Sequence, residues 1–165
     1  MLQMQTCVKY IKRFKSTKLA LSIGILILVL DISTKNWIMS NMSLGDATNI
    51  CSFFNIVRVH NYGVTFGILY GTLSPIVIST LSLLIIAVLL YWGYKERHIL
   101  PYAILVSFGA LGNIHDRLVF GYVVDFLDFF WCSFHWPAFN IADCAIVFGN
   151  VNILLIILCD NNVQQ

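Results

Sequence analysis

The sequence predicts an all-α membrane protein with four transmembrane helices and a small extracytoplasmic cap of short strands and loops. Hydrophobic residues make up 59% of the 165-residue chain and charged residues only 11%, whereas a soluble domain carries roughly 25% charged residues. Four apolar stretches are close in length to the about 20 residues that a helix needs to cross the hydrocarbon core of a bilayer. Short connections join these stretches, which favours one compact bundle and a single domain over residues 1–165.

The first helix is predicted at about residues 19–38, with Asp31 and Lys35 on the same face. The acid lies four residues before the base, a spacing and order that favour an ion pair within one helix. Five of the ten basic residues precede this helix, namely Lys9, Lys12, Arg13, Lys15 and Lys18. This asymmetry predicts a cytoplasmic N-terminus. The stretch is long for a signal peptide and has no small-residue cleavage site, so we expect it to be retained.

A hydrophilic segment at about residues 40–74 follows and is predicted to form the cap on the outer face of the membrane. Apolar and polar residues alternate in FFNIVRVHN, which predicts short strands. Asn61-Tyr62-Gly63 predicts a turn, because glycine permits a positive φ or a close approach of the backbone.

The second helix, at about residues 75–94, is the clearest lipid-facing span. Its 20 residues contain no Asp, Glu, Lys or Arg. Tyr91 and Trp92 near its end are typical of a membrane interface. The next four residues, KERH, are short and basic, as expected of a cytoplasmic turn.

The third and fourth helices are predicted at about residues 99–115 and 137–159. Gly109 and Gly112 in the third form a small-residue pattern that permits close helix approach. Residues 116–136 are rich in aromatics and are expected to form an extracytoplasmic loop that partly dips into the membrane. Asn140 and Asp143 share one face of the fourth helix. The C-terminal tail is predicted to be cytoplasmic, like the N-terminus.

This topology brings acidic residues from distant parts of the chain to one outer boundary. Asp31 lies late in an outward helix, Asp116 at the end of another and Asp143 early in an inward helix, while Asp125 and Asn61 join from the outer segments. A carboxylate at membrane depth is costly unless it is paired, protonated or facing water, so it is a functional-site hypothesis by default. Asp125 and Asp143 are the candidate acid pair, because two carboxylates held close share a proton. Such a pair is suited to acid–base chemistry.

Structural alternatives exist for each acid. Asp143 also fits a hydrogen bond to a neighbouring helix, and Asp125 also fits a solvated loop, although its apolar neighbours argue against solvation. Asp128, three residues after Asp125, is an alternative partner for Asp143. Asp116 adjoins Arg117 and is expected mainly to form a structural ion pair at a helix end.

Other chemistries have little support in the sequence. The serines lack a Gly-x-Ser-x-Gly setting. The four histidines match no metal motif and the five cysteines show no CxxC spacing, so we expect no metal and no other cofactor. Cys51 and Cys132 share the predicted outer side and are candidates for a disulfide, although lone membrane cysteines more often act as small packing residues.

The chain resembles the signal peptidase II family, the prolipoprotein signal peptidases, in several short blocks. These blocks occur in family order and span about two-thirds of the chain: Asp31-x-x-Thr34-Lys35, Asn61-Tyr62-Gly63 with Phe66-Gly67, Gly109-Ala110-Leu111-Gly112-Asn113-x-x-Asp116-Arg117, Gly121-Tyr122-Val123-Val124-Asp125-Phe126 and Phe139-Asn140-Ile141-Ala142-Asp143. Ile32 stands where the family often has glutamine, and Cys144 stands where serine is usual. Neither departure removes a group that the mechanism requires.

The resemblance implies a four-helix aspartyl endopeptidase of the bacterial inner membrane. Such an enzyme removes the signal peptide from diacylglyceryl-modified prolipoproteins by cutting just before the lipidated cysteine. The resemblance implies that Asp125 and Asp143 are catalytic. It also implies that other matched positions line the substrate site or support the pair: Asp31, Lys35, Asn61, Gly63, Asn113, Asp116, Arg117, Asn140 and Ala142.

The expected partners are lipid-modified prolipoproteins and membrane lipids, without nucleic acid, and the expected state is a monomer with its active site near the extracytoplasmic face. The main rival hypothesis is a transporter or proton relay that uses the same acids. Transporters usually place such groups near the midplane at the junction of internal repeats. Here the acids cluster near one face and the two halves show no similarity. A lipid-binding scaffold would leave the paired acids and asparagines unexplained.

Overall fold

Four long helices and four short strands make up the fold in the computed structural model, which describes residues 16–63 and 74–161. In chain order the elements are α1 (Thr17–Asn41), β1 (Ala47–Cys51), β2 (Phe54–Asn61), α2 (Pro75–Lys95), α3 (Leu100–Phe120), β3 (Val123–Trp131), β4 (Phe134–His135) and α4 (Ile141–Asn161). All four helices are long and apolar enough to cross a membrane, and the strands form one antiparallel sheet. The predicted fold class is confirmed, and the chain is a multi-pass membrane protein.

Some predicted features lie outside the described residues. They are Cys7, Phe66, Gly67 and the basic residues Lys9, Lys12, Arg13 and Lys15. Cys51 and Cys132 are described, and both are free thiols in the structure.

Helix α3 is longer than predicted, and the predicted end at residue 115 is wrong. The helix continues through Asp116 and Arg117 to Phe120 and is capped by Gly121, whose φ of 84° is left-handed and whose N–H donates to the Arg117 carbonyl. Charged residues suggested a loop, but Asp116 is 1% exposed and paired, so its charge does not interrupt the helix. Glycine ends the helix because it adopts the left-handed conformation without steric cost.

Helix α4 begins at Ile141, four residues later than predicted. Phe139, just before it, pairs with Leu127 of β3 as an isolated antiparallel bridge. The residues before Ile141 therefore pair with β3 and do not extend the helix.

Strand β3 is the main feature that the sequence analysis missed, since residues 116–136 were expected to form a loop. The sheet order is β1-β2-β3-β4, and β3 is an inner strand between β2 and β4. Its first four residues, Val123 to Phe126, are all buried. Both faces of the strand are covered there, so the alternation of apolar and polar residues that marks a half-buried strand is missing.

Helix α3 is the centre of the bundle and packs against each of the other three helices. The sheet is attached to the same end of the bundle, where Val124 and Phe126 pack on Ile38 near the end of α1. This attachment brings the start of β3 beside the start of α4. We call this end of the bundle the site end.

Candidate active site

Asp143 is held in the first turn of α4 by a reciprocal cap with Asn140. The Asp143 backbone N–H donates to Asn140 Oδ1 at 2.9 Å, and the Asn140 backbone N–H donates to Asp143 Oδ2 at 3.4 Å. Asn140 therefore occupies the N-cap position and Asp143 the third helical position, the arrangement of a capping box. The cap fixes the backbone on which the carboxylate stands.

Asp125 reaches the same place from β3 and accepts two amide hydrogen bonds. Asn140 Nδ2 donates to Asp125 Oδ1 at 2.6 Å, and Asn61 Nδ2 donates to Asp125 Oδ2 at 3.0 Å. The Asn140 side chain thus binds Asp125 with its amide nitrogen and caps the Asp143 backbone with its amide oxygen. One fully buried asparagine links both acids.

Burial and the nearby charge of Asp143 raise the pKa of Asp125 to about 7. The hydrogen bonds from Asn61 and Asn140 oppose this rise, and so does the positive charge of Lys35. Asp125 therefore carries its proton through most of the acidic range and up to neutral pH. A carboxyl group that titrates near neutral pH is suited to acid–base chemistry.

Asn113 of α3 connects Asp143 to a buried cation. Its Nδ2 donates to Asp143 Oδ1 at 2.8 Å, and its Oδ1 accepts from Lys35 Nζ at 3.0 Å and from Asn140 Nδ2 at 3.2 Å. Every polar atom of the Asn113 side chain is used within the site. This side chain is 6% exposed, so the network lies away from bulk water.

Lys35 pairs with two buried carboxylates. Its Nζ lies 2.7 Å from Asp31 Oδ2 and 3.0 Å from Asp116 Oδ2, and all three side chains are at most 1% exposed. The predicted pairing of Asp31 with Lys35 is confirmed. Asp116 pairs with Lys35 and not with its neighbour Arg117, because adjacent residues of a helix point in different directions.

The two acids of this cluster also hold the backbone of the site. Asp31 Oδ1 accepts the backbone N–H of Ala142 at 2.9 Å, and Asp116 Oδ2 accepts that of Val124 at 3.1 Å. Ala142 directly precedes Asp143, and Val124 directly precedes Asp125. Each candidate catalytic acid therefore follows a residue whose backbone is fixed by a buried carboxylate.

Two glycines of α3 permit this close packing. A Cβ on Gly112 would lie 2.6 Å from Asp31 Oδ2, and a Cβ on Gly109 would lie 2.6 Å from the Ala142 carbonyl oxygen. Both distances are too short for a methyl group. The predicted close approach at these glycines is confirmed, and it is directed at the residues that hold α4.

Arg117 ties the Asn61–Gly63 turn to α3. Its Nη2 donates to the Gly63 carbonyl at 3.1 Å, and the Gly63 N–H donates to Asn61 Oδ1 at 3.0 Å. These contacts orient the Asn61 amide so that its nitrogen points at Asp125. The turn predicted from Asn61-Tyr62-Gly63 thus contributes directly to the site.

An apolar cavity of about 640 Å³ opens beside the acids. Asn61, Asn113, Arg117 and Asp143 supply its polar wall. Its apolar walls come from α2, α3, the start of β3, the segment before α4 and α4 itself: Ile78, Ala110, Val123, Trp136, Pro137, Ala138, Phe139, Ile146, Val147, Phe148 and Val151. A polar cluster at one end of a largely apolar cavity is the usual form of a site for an amphipathic ligand.

The structure brings together all the predicted site residues, but not the alternative acid Asp128. Asp128 accepts from Asn55 Nδ2 at 2.8 Å and lies 2.9 Å from His135 Nδ1, on the opposite face of β3 from Asp125. The cavity wall at Trp136 to Phe139 was not predicted from the sequence. An uncharged aromatic segment directly before Asn140 was the signal for it.

Comparison with known proteins gives a consistent result. The sequence model of the family described as Signal peptidase (SPase) II matches residues 23–159. The chain is 40% identical to the lipoprotein signal peptidase of Vibrio campbellii over 142 residues, covering 81% of this chain and 84% of the relative. It is 41% identical to that of Alteromonas mediterranea over 146 residues, covering 84% and 80%.

Solved structures agree with the sequence relatives. A bacterial membrane enzyme determined by the in meso method at 2.3 Å resolution has a TM-score of 0.82 at 29% identity, covering 90% of this chain and 93% of that one. A second, at 1.9 Å resolution, has a TM-score of 0.76 at 30% identity, covering 86% and 94%. The matched family sequence covers most of the chain, including every residue of the site. This chain belongs to the signal peptidase II family.

Proposed function

We propose that this protein is a membrane aspartyl endopeptidase that cleaves the signal peptide from diacylglyceryl-modified bacterial prolipoproteins, just before the lipidated cysteine. Family membership supports the reaction and the substrate class. The observation that carries the assignment of residues is the shared asparagine: Asn140 binds Asp125 with its side chain and caps the backbone of Asp143. Asp125 and Asp143 are the catalytic pair in this proposal.

The hydrolysis proceeds with the pair sharing one proton. The ionised carboxylate takes a proton from a water molecule, whose oxygen attacks the scissile carbonyl carbon, while the protonated carboxyl group donates to the carbonyl oxygen. The resulting tetrahedral diol collapses, the C–N bond breaks, and a proton passes to the amine of the departing cysteine. No covalent link to the enzyme forms, and the pair regains its single shared proton.

The cavity supports a lipid-modified substrate. Its polar wall meets the scissile peptide, and its apolar walls run along α4 from Asp143 to Val151, a distance of roughly 12 Å along the helix. An apolar segment of a signal peptide or an acyl chain gains free energy by filling such a space, at about 25 cal/mol per Å² of apolar surface buried. Asn113 and Arg117 line the polar wall beside the pair. The remaining residues of the network position the pair from outside the cavity lining: Asp31, Lys35, Gly63, Asp116 and Ala142.

The orientation in the inner membrane follows from the charge asymmetry of the sequence. Basic residues concentrate up to the first turn of α1 and around the α2–α3 turn, so both termini face the cytoplasm and the site end faces outward. A substrate anchored by its diacylglyceryl group in the outer leaflet then reaches the acids without leaving the bilayer. The enzyme acts as a monomer in this arrangement, since one chain supplies every residue of the proposed site.

The test is cleavage of a lipid-modified prolipoprotein by the enzyme reconstituted in phosphatidylethanolamine and phosphatidylglycerol vesicles. Asp125→Asn and Asp143→Asn should each reduce kcat by about 10²- to 10⁴-fold, because each removes a proton-transfer group. Asp128→Asn is the matched control and should retain activity, since it lies on the other face of β3. A folded Asp125 or Asp143 variant with near-parental cleavage would refute the pair. Failure of the parent to cleave the lipid-modified substrate would favour the transport hypothesis.

A further inference from the structure

Two hairpin ends lie side by side at the end of the sheet that is remote from the candidate catalytic pair. The β1–β2 turn connects Cys51 to Phe54, and the β3–β4 turn connects Trp131 to Phe134. The Phe130 N–H donates to the Phe53 carbonyl at 3.0 Å, and the Phe54 and Phe129 rings are 4.8 Å apart. The two turns therefore form one continuous surface.

This surface exposes large apolar side chains. We call it the hairpin-tip surface and define it by five residues that are between 41% and 82% exposed: Ile50, Phe53, Phe129, Trp131 and Phe134. The two segments that carry it, residues 47–57 and 129–139, contain no Asp, Glu, Lys or Arg. An exposed apolar patch of this kind marks a contact with a membrane or another protein.

The opposite face of the same sheet region is polar. Asn49 Nδ2 donates to Asn55 Oδ1 at 2.9 Å, Asn55 Nδ2 donates to Asp128 Oδ2 at 2.8 Å, and Asp128 lies 2.9 Å from His135 Nδ1. This hydrogen-bonded row crosses all four strands. Phe129 and Trp131 point to the other side, because successive side chains of a strand alternate between faces. The hairpin ends are therefore amphipathic.

The hairpin-tip surface adjoins the exposed apolar side of the helix bundle, the side that faces away from the bundle core. Trp136 directly follows β4, is 50% exposed and lines the same cavity as Val147 and Phe148 of α4. Those two α4 residues are 60% and 52% exposed on a helix that is long and apolar enough to cross a membrane. The segment directly after β4 thus shares this cavity with the exposed apolar side of α4.

We propose that the hairpin-tip surface lies in the phospholipid bilayer at the boundary between headgroups and acyl chains. Aromatic side chains favour this depth, since their rings are apolar while the tryptophan N–H keeps a polar partner. The exposed ends of the polar row, Asn49 and His135, then face water, as in other interfacial amphipathic elements. The proposal concerns the lipid contact alone and does not depend on the peptidase activity.

The first test measures the depth of a spin label on the native Cys132, which is exposed between Trp131 and Ser133. The other four cysteines are replaced by serine, and one protein copy is placed in each phosphatidylethanolamine and phosphatidylglycerol nanodisc. Matched labels at Val88→Cys, 69% exposed on α2, and Glu96→Cys, 53% exposed in the α2–α3 turn, give the lipid and water references. Cys132→Ser accompanies both references.

The expected result is a ratio of oxygen to nickel-chelate collision rates at Cys132 that is several-fold above the Glu96→Cys value. A ratio equal to that of Glu96→Cys would overturn the proposal. Shielding of the label only in discs with two protein copies would also overturn it, because it would indicate contact with a second chain. Shielding only after substrate is added would overturn it as well, because it would indicate contact with the peptide.

A second measurement leaves the native cysteines in place. Tryptophan fluorescence of the parent and of Trp131→Phe is compared in nanodiscs that contain brominated phospholipid. The parent has four tryptophans, and the signal quenched by bromine should be smaller in Trp131→Phe. An unchanged quenched signal would contradict the lipid contact. Thermal unfolding of each variant establishes that it is folded.

Discussion

Three asparagine amides orient the two carboxylates at the scale of single residues, and Lys35 fixes the direction of one of them. A lysine ammonium has only donors, so Asn113 must present its oxygen to Lys35 and its nitrogen to Asp143. Asn61 is fixed in the same manner by the Gly63 N–H, which needs the Asn61 oxygen. The site is therefore preorganised by groups that cannot exchange donor and acceptor roles.

Lys35→Met should destabilise the protein strongly. The substitution leaves Asp31 and Asp116 buried without their cation, and removing one partner of a buried ion pair costs about 3–5 kcal/mol. The unfolding temperature in detergent should fall, and adding Asp31→Asn should restore part of it. Lys18→Met, at the exposed start of α1, is the matched control. Equal unfolding temperatures for Lys35→Met and the parent would contradict the role of the cluster.

Asn61→Ala should move the pH dependence of cleavage. The Asn61 hydrogen bond lowers the pKa of Asp125, which burial and Asp143 raise to about 7. Without that bond the pKa rises further, so the pair keeps its shared proton to higher pH. The high-pH limb of kcat/KM should shift upward by roughly half to one pH unit, the equivalent of one hydrogen bond. Asn49→Ala, in the remote polar row, should leave the limb in place. A downward shift would reverse the assigned role of Asn61.

The start of α4 is the critical position at the scale of secondary-structure elements. Its first backbone N–H groups need partners, and Asp31 of α1 and the Asn140 side chain supply them. Helix α3 has to pass very close to this point, which Gly109 and Gly112 permit. Three helices thus meet where Asp143 begins its turn.

Gly112→Ala should weaken this meeting point. The added methyl group would overlap Asp31 Oδ2, and forcing an extra carbon into a packed interior typically costs about 1–3 kcal/mol. We expect a lower unfolding temperature and a lower kcat, since Asp31 holds the Ala142 N–H beside Asp143. Leu118→Ala, which is 59% exposed on the same helix, should change neither by much. Parental stability and kcat in Gly112→Ala would show that Asp31 has room to move.

The helices and the convergence of polar residues were predictable from sequence, whereas the sheet was only partly so. Hydropathy predicts four spans because lipid imposes both a length and an apolar composition, and the alternation before Asn61 predicts β2. Strand β3 lacks alternation because both of its faces are buried at Asp125. The end of α3 was misplaced because Asp116 is neutralised by Lys35, which lies far earlier in the chain. The local sequence around Asp116 carries no information about that partner. Long-range pairing is the part that the sequence pattern leaves open.

The whole molecule is a bundle in which α3 contacts every other helix, while the cavity opens between α2 and α4. The candidate catalytic acids lie at the site end of this opening. The apolar part of the cavity runs along α4, away from the polar wall. Substrate affinity and chemistry are served by different parts of the same cavity.

Val151→Trp should separate these two contributions. Val151 lines the cavity, whereas Leu154 lies on the same helix outside the cavity lining and is similarly exposed. The larger side chain would occupy space that the apolar part of the substrate fills, so KM should rise about tenfold, the equivalent of about 1.4 kcal/mol, with little change in kcat. Leu154→Trp is the matched control and should keep the parental KM. Equal KM values for both variants would place the substrate elsewhere.

The buried Lys35 cluster also bears on how the chain is assembled during synthesis. Lys35 precedes its partner Asn113 by 78 residues, so α1 enters the bilayer well before α3 or α4 has been made. During that interval Asp31, one turn away, is the counterion that α1 carries with it. Because the two charges neutralise each other, α1 can remain in the lipid without a net charge at this position. In the folded protein the same two charges contact α3 through Asp116 and α4 through the Ala142 N–H.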